Sequence, residues 1–153
     1  MKLGIYLLMS LFSLQSMASA ITLEQLIGTL EFKPKEQITY LEKGMSIEYQ
    51  LAISDQKDEF GHHIIGLNEY IRQSIPESKS QVTISKLECS GVAHMSDEKV
   101  MTVNVACENN NSFEQKINLS SVKNPKATTF EAPLFSSMYG VEMAMVVNKI
   151  SKK

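Results

Sequence analysis

Between residues 82 and 119 a single choice of strand register meets three independent requirements, and this constrains the chain more than any other stretch. A turn at Asp97-Glu98-Lys99 sets Cys89 opposite Cys107, Ala93 opposite Val103 and Met95 opposite Met101. A second turn at Asn109-Asn110-Asn111, where asparagine tolerates left-handed backbone, sets Cys107 opposite Phe113, Val103 opposite Ile117 and Met101 opposite Leu119. All of these side chains fall on one face. The other face carries Ser90, His94, Thr102, Asn104, Glu114, Lys116 and Asn118. Alternation, turn chemistry and cysteine alignment agree, and that agreement predicts a three-stranded antiparallel meander.

The cysteines bear on where the chain works. Cys89 and Cys107 are the only two, and their spacing is not C-x-x-C, so neither a thioredoxin-type redox site nor a zinc knuckle is indicated. An even pair in an oxidising compartment reads as one disulfide; the competing reading is two buried free thiols. Residues 1–20 point to such a compartment. They hold one basic residue, Lys2, an apolar run from Leu3 to Leu14, and an A-x-A ending at Ala18-Ser19-Ala20. This is the order of a secretory signal peptide, and the apolar run is too short to span a bilayer. The expectation is a leader over 1–20 and a single exported domain over 21–153, periplasmic or secreted, with no stable membrane anchor. Cleavage would leave 153 − 20 = 133 residues with a formal charge of 14 − 17 = −3. That length supports one hydrophobic core, and an acidic balance argues against nucleic acid as a partner.

Elsewhere the periodicity is mixed. Leu23, Leu26, Ile27 and Leu30 have helical spacing, and Thr22 with Gln25 makes a capping-box pattern, so a short helix is expected from Thr22 to Leu30. Ile38 and Tyr40 alternate on one strand, and Met45 through Ile53 alternate on the next. A Lys43-Gly44 turn between them would place Tyr40 opposite Ile47 and Ile38 opposite Tyr49. Phe60, Ile64, Leu67, Ile71 and Ile75 step by four, three, four and four up to Pro76, which predicts a second helix, with Gly61 and Gly66 against it. Residues 120–140, with Pro125 and Pro133, read as a long loop, and Val141 to Val147 as a final strand. The expected fold class is therefore α+β: an antiparallel sheet of hairpin, meander and C-terminal strand, with two helices packed on one face.

No arrangement of residues identifies catalysis. His62-His63 are neighbours that diverge on a helix, and no H-E-x-x-H, G-x-S-x-G, P-loop or G-x-G-x-x-G pattern occurs. No catalytic residue, cofactor or metal is assigned. His94 lies on the polar meander face near Thr102, with Asn104 and Lys116 close by, and these four form the candidate binding face, with a sheet edge or the 120–140 loop as the alternatives. Met143 and Met145 suit either an adaptable surface or the core of the last strand.

Two resemblances touch short stretches. Ser90-Gly91-Val92-Ala93-His94 is similar to the Ser-Gly-x-x-Tyr stretch of bacterial periplasmic lysozyme inhibitors, which are exported β-rich proteins. It covers five residues and departs at the aromatic position, and the two expected helices do not suit a small all-β barrel. Gly140 with the alternation after it resembles the C-terminal strand of chaperone–usher pilins, without their penultimate tyrosine. No residue role is carried over from either.

The function expected is that of an exported, non-enzymatic binding protein: an inhibitor, an immunity protein or an accessory subunit of an envelope system, acting on a protein partner. The alternatives are a surface-assembled structural subunit or adhesin, and a small periplasmic hydrolase.

Overall fold

The computed structural model describes residues 20–38 and 41–150. The candidate leader, apart from Ala20, and the Tyr40 pairing lie outside these residues; the Ile38–Tyr49 pairing is overturned, since Ile38 lies in no strand and Tyr49 faces Phe32. Eight antiparallel strands follow one another in sequence and close on themselves: β1 (Gly28–Pro34), β2 (Met45–Lys57), β3 (His63–Ile75), β4 (Ser80–Asp97), β5 (Val100–Cys107), β6 (Ser112–Asn118), β7 (Thr129–Ser136) and β8 (Val141–Ile150). Each strand pairs with its neighbours in sequence, and β1 pairs with β8 from Thr29↔Ile150 to Pro34↔Met145, so the sheet is a closed up-and-down barrel. Among the described residues the only helical turn is a short 3-10 helix, Leu23–Leu26. The α+β expectation is thus overturned: the fold is all-β, and neither expected α-helix forms.

Each misread element has a local cause. In the first, the 3-10 helix buries Leu23 and Leu26, while Ile27 stays exposed and Leu30 faces the core from β1. Four apolar residues at helical spacing are therefore shared between a 3-10 turn and a strand. The capping pattern survives, with the Thr22 N–H donating to Gln25 Oε1 at 3.1 Å. In the second, β3 points His63, Ile65, Leu67 and Glu69 inward and leaves Ile64 exposed. A buried glutamate interrupts the apolar alternation, and the remaining residues then imitate a helical period. In the third, residues 120–140 hold β7 in spite of Pro133. Strand β6 meets β7 only from Gln115↔Ser136 to Ile117↔Leu134, so Pro133 sits where that ladder has ended and its missing N–H is tolerated.

The meander is present. Cys89 faces Cys107, Ala93 faces Val103 and Met95 faces Met101, and the disulfide Cys89–Cys107 joins β4 to β5. Closing this loop stabilises the fold by about 3 kcal/mol in the chain-entropy account. At the next turn the register is displaced by two residues: Val105, not Cys107, faces Phe113, and Met101 faces Ile117. A displacement of two preserves the face of every side chain, so the predicted core face is right although the partners are not. Asn110 takes the left-handed conformation in that turn, at φ 63°. Beside the disulfide the strands are close, with 3.9 Å between the Cys89 and Cys107 Cα atoms. Gly91 follows from this, since a Cβ there would lie 1.9 Å from the Asn104 carbonyl oxygen.

The barrel interior is filled with side chains. Phe32, Ile47, Tyr49, Leu51, Leu67, Met101, Ile117, Leu134 and Met145 are all buried within one core. At one end the 3-10 helix plugs the barrel. It is held by Glu24, whose Oε1 accepts from Lys57 Nζ at 2.9 Å and lies 3.4 Å from His63 Nε2, and by Lys149 Nζ, which donates to the Gln25 carbonyl at 3.3 Å. The Lys57 hydrogen bond, with backbone and His63 hydrogen bonds behind it, draws the Glu24 carboxyl down to about 2. At the other end, the β3–β4 hairpin runs past its neighbours.

Candidate binding surface on the outer wall

The β2–β3 connection is built by Asp58. Its Oδ1 accepts from the N–H groups of Phe60 (2.9 Å) and His62 (2.8 Å), the Asp58 N–H donates to the His62 carbonyl, and Gly61 supplies the positive φ that closes the turn. Desolvation pushes the Asp58 carboxyl up, but the N–H groups of His62, Phe60 and Gly61 together with the His62 ring outweigh it, and the group lies below its ordinary range. The turn thereby presents Phe60, 75% exposed, and His62 on the outside of the barrel.

His62 stacks on His94 of β4, with ring centroids 4.6 Å apart and planes at 29°; Phe60 lies 6.1 Å from His62. His94 Nδ1 is buried and has no hydrogen-bond partner among the described residues. The next row of the outer wall runs Ile64↔Val92↔Asn104↔Glu114, with Ile64 42% exposed. Ile64 in turn borders an open groove of about 500 Å³ formed with Ile27, Gly28, Ala52 and Gly66. Phe60, His62, His94 and Ile64 thus make one amphipathic surface, apolar rings and side chains with imidazole edges among them.

The four residues predicted from sequence share this wall but differ in availability. His94, Thr102 and Lys116 lie in one row, and Asn104 lies in the row beside it. Asn104 is open to solvent. Lys116 is exposed and ion-paired with Glu114 at 3.2 Å. Thr102 is buried, its hydroxyl donating to Ser96 Oγ at 2.9 Å, and presents nothing to a partner. Sequence reasoning missed Phe60, His62 and Ile64 because it placed them on a helix. Reading residues 62–70 at period two would have put His62 and Ile64 on the face of His94. The adjacent histidines do separate: His63 turns inward and its Nδ1 meets the Ser54 carbonyl at 2.7 Å. Among the described residues no three His, Cys, Asp or Glu side chains are grouped to hold a metal ion.

A second polar group lies inside the barrel. The Tyr139 hydroxyl donates to Glu69 Oε1 at 2.7 Å. Burial pushes the Glu69 carboxyl up, against the opposing influence of the Tyr139 and Tyr49 hydroxyls. Gln115 and Ser136, paired across β6 and β7, leave Gln115 Nε2 and Ser136 Oγ unbonded in the core. Glu69, Gln115 and Ser136 are buried and Tyr139 is half-buried.

No family model, no curated protein and no solved structure matches the chain. The five-residue likeness to lysozyme inhibitors falls inside β4, and the helices that argued against a small barrel are absent.

Proposed function

We propose that this is a non-enzymatic binding protein, exported to an oxidising compartment, which engages a protein partner through the outer wall around His62 and His94. The observation that carries the reading is the contrast between interior and exterior. The interior is packed with its own side chains, as in small barrels that carry no cargo. The outer wall instead holds exposed Phe60 and Ile64 beside two stacked imidazoles, the mixture of aromatic and apolar groups enriched at interface centres. The disulfide supports an oxidising environment.

The test is affinity capture from the organism's own envelope fraction. Immobilised oxidised protein is compared with a Phe60→Ser, His94→Ala variant shown to keep the wild-type melting temperature. The expected result is a specific partner whose affinity falls about tenfold or more in the variant, or about 1.4 kcal/mol. Undiminished capture would remove this surface. Capture of nothing by the wild type would contradict the binding reading itself.

A further inference from the structure

Strand β4 is much longer than the strand that should cover it. It runs from Ser80 to Asp97, whereas β5 pairs with it only from Cys89 to Asp97. The last bonds on that side are the Glu108 N–H to the Glu88 carbonyl at 3.1 Å and the Glu88 N–H to Glu108 Oε1 at 3.3 Å. Beyond them, Ser80–Leu87 has β3 along one edge and, among the described residues, no strand along the other. A closed barrel should have no edge; here the overhanging hairpin restores one of about eight residues, roughly 27 Å long.

The composition of this edge is unusual for one left to solvent. Exposed edges are commonly blunted by charge or proline. Gln81-Val82-Thr83-Ile84-Ser85 contains neither, and Val82 and Ile84 are 45% and 51% exposed. Two features interrupt the eight-residue edge: the irregularity between Ile71 and Arg72, where Ile84 is left without a β3 partner, and Lys86 near its end.

The segment is complementary to itself. Set antiparallel to a second copy about Thr83, it places Thr83 opposite Thr83, Val82 opposite Ile84 in both directions, and Gln81 opposite Ser85. Apolar β-branched and Thr–Thr pairs are favourable cross-strand combinations. Charge does not oppose the pairing: from residue 77 to residue 88 the segment carries Lys79 and Lys86 against Glu77 and Glu88, so 2 − 2 = 0. The register also brings Lys79 of one copy level with Leu87 of the other, next to Glu88. We infer that the free β4 edge is a homodimer interface, in which two barrels join their overhanging hairpins into one continuous antiparallel sheet. It is separate from the wall around His62 and His94 and independent of that reading.

Sedimentation velocity of the oxidised wild-type protein over a concentration series, up to about 1 mM, measures the association directly. The companion variant is Val82→Lys with Ile84→Lys, at two positions already exposed, so folding is spared and like charges meet only in the dimer. Thr83→Cys reports the register, because the two introduced thiols face each other across the axis. The expected results are a concentration-dependent dimer for the wild type and a monomer for the double lysine variant with unchanged melting temperature. The Thr83→Cys variant should form its intermolecular disulfide at least tenfold faster than a Gln81→Cys variant does. A wild type monomeric throughout the series, a dimer that survives the lysine pair, or equal crosslinking by the two cysteine variants would each overturn the inference.

Discussion

Glu69 shows how one side chain can decide both how a sequence reads and how the fold responds to pH. It occupies an inward position of β3, where an apolar residue would have made the alternation plain, and instead accepts a hydrogen bond from Tyr139. Burial raises its folded carboxyl above the ordinary value of 4.5, so the folded state retains a proton that the unfolded chain has released. The stabilisation linked to that proton is complete below pH 4.5 and is lost as pH rises through the folded value. Glu69→Gln keeps the acceptor for Tyr139 and removes the buried charge. Chemical denaturation at pH 7 should show the variant as stable as the wild type or better, by about 1 kcal/mol. Its stability should also fall less between pH 4.5 and about pH 7. A loss of several kcal/mol at pH 7 would mean that the charge itself is needed.

At the scale of elements, what was legible depended on whether local signals agreed. The register of β5 on β4 was legible from Cys89 to Met95, because alternation and the cysteine pair both select Cys89↔Cys107 and Ala93↔Val103; the turn was not, since Asp97 pairs with Val100 past an irregularity and leaves Glu98-Lys99 as the turn. Strand β8 was legible from alternation alone, with Met143, Met145 and Val147 inward. Strands β1, β3 and β7 were not. Leu30 completed a false helical face, Glu69 broke a true strand pattern, and Pro133 disguised a strand whose ladder had ended on one side. The candidate face was half legible: His94, Asn104 and Lys116 do lie on the outer wall, whereas Phe60, His62 and Ile64 could join it only once β3 was known to be a strand. Thr102 marks a further gap, since alternation gives the face but not what covers it. Val103→Asp, which strands a charge in the core, should cost several kcal/mol. Thr102→Asp should also destabilise the protein, by about 1–3 kcal/mol, because it displaces a buried hydroxyl bonded to Ser96. Melting curves separate these; a neutral Thr102→Asp would mean that this part of the wall is open.

For the whole molecule, closure gives the separate readings one frame. An open α+β sheet would offer a broad face and two full-length edges. A closed barrel packed with side chains leaves its outer wall, its ends and whatever strand overhangs as places to act. One end is plugged by Leu23 and Leu26, the wall carries the His62–His94 surface, and the overhang is the free part of β4. All of this rests on β1 meeting β8. The most direct test is a nuclear Overhauser spectrum of the oxidised protein, read for Cα-proton and amide contacts between those two strands. A closed barrel gives an unbroken antiparallel ladder from Thr29↔Ile150 through Glu31↔Asn148 to Lys33↔Val146, with extended-chain carbon shifts over His63–Ile75. Absence of the β1–β8 contacts, together with helical shifts over His63–Ile75, would contradict it.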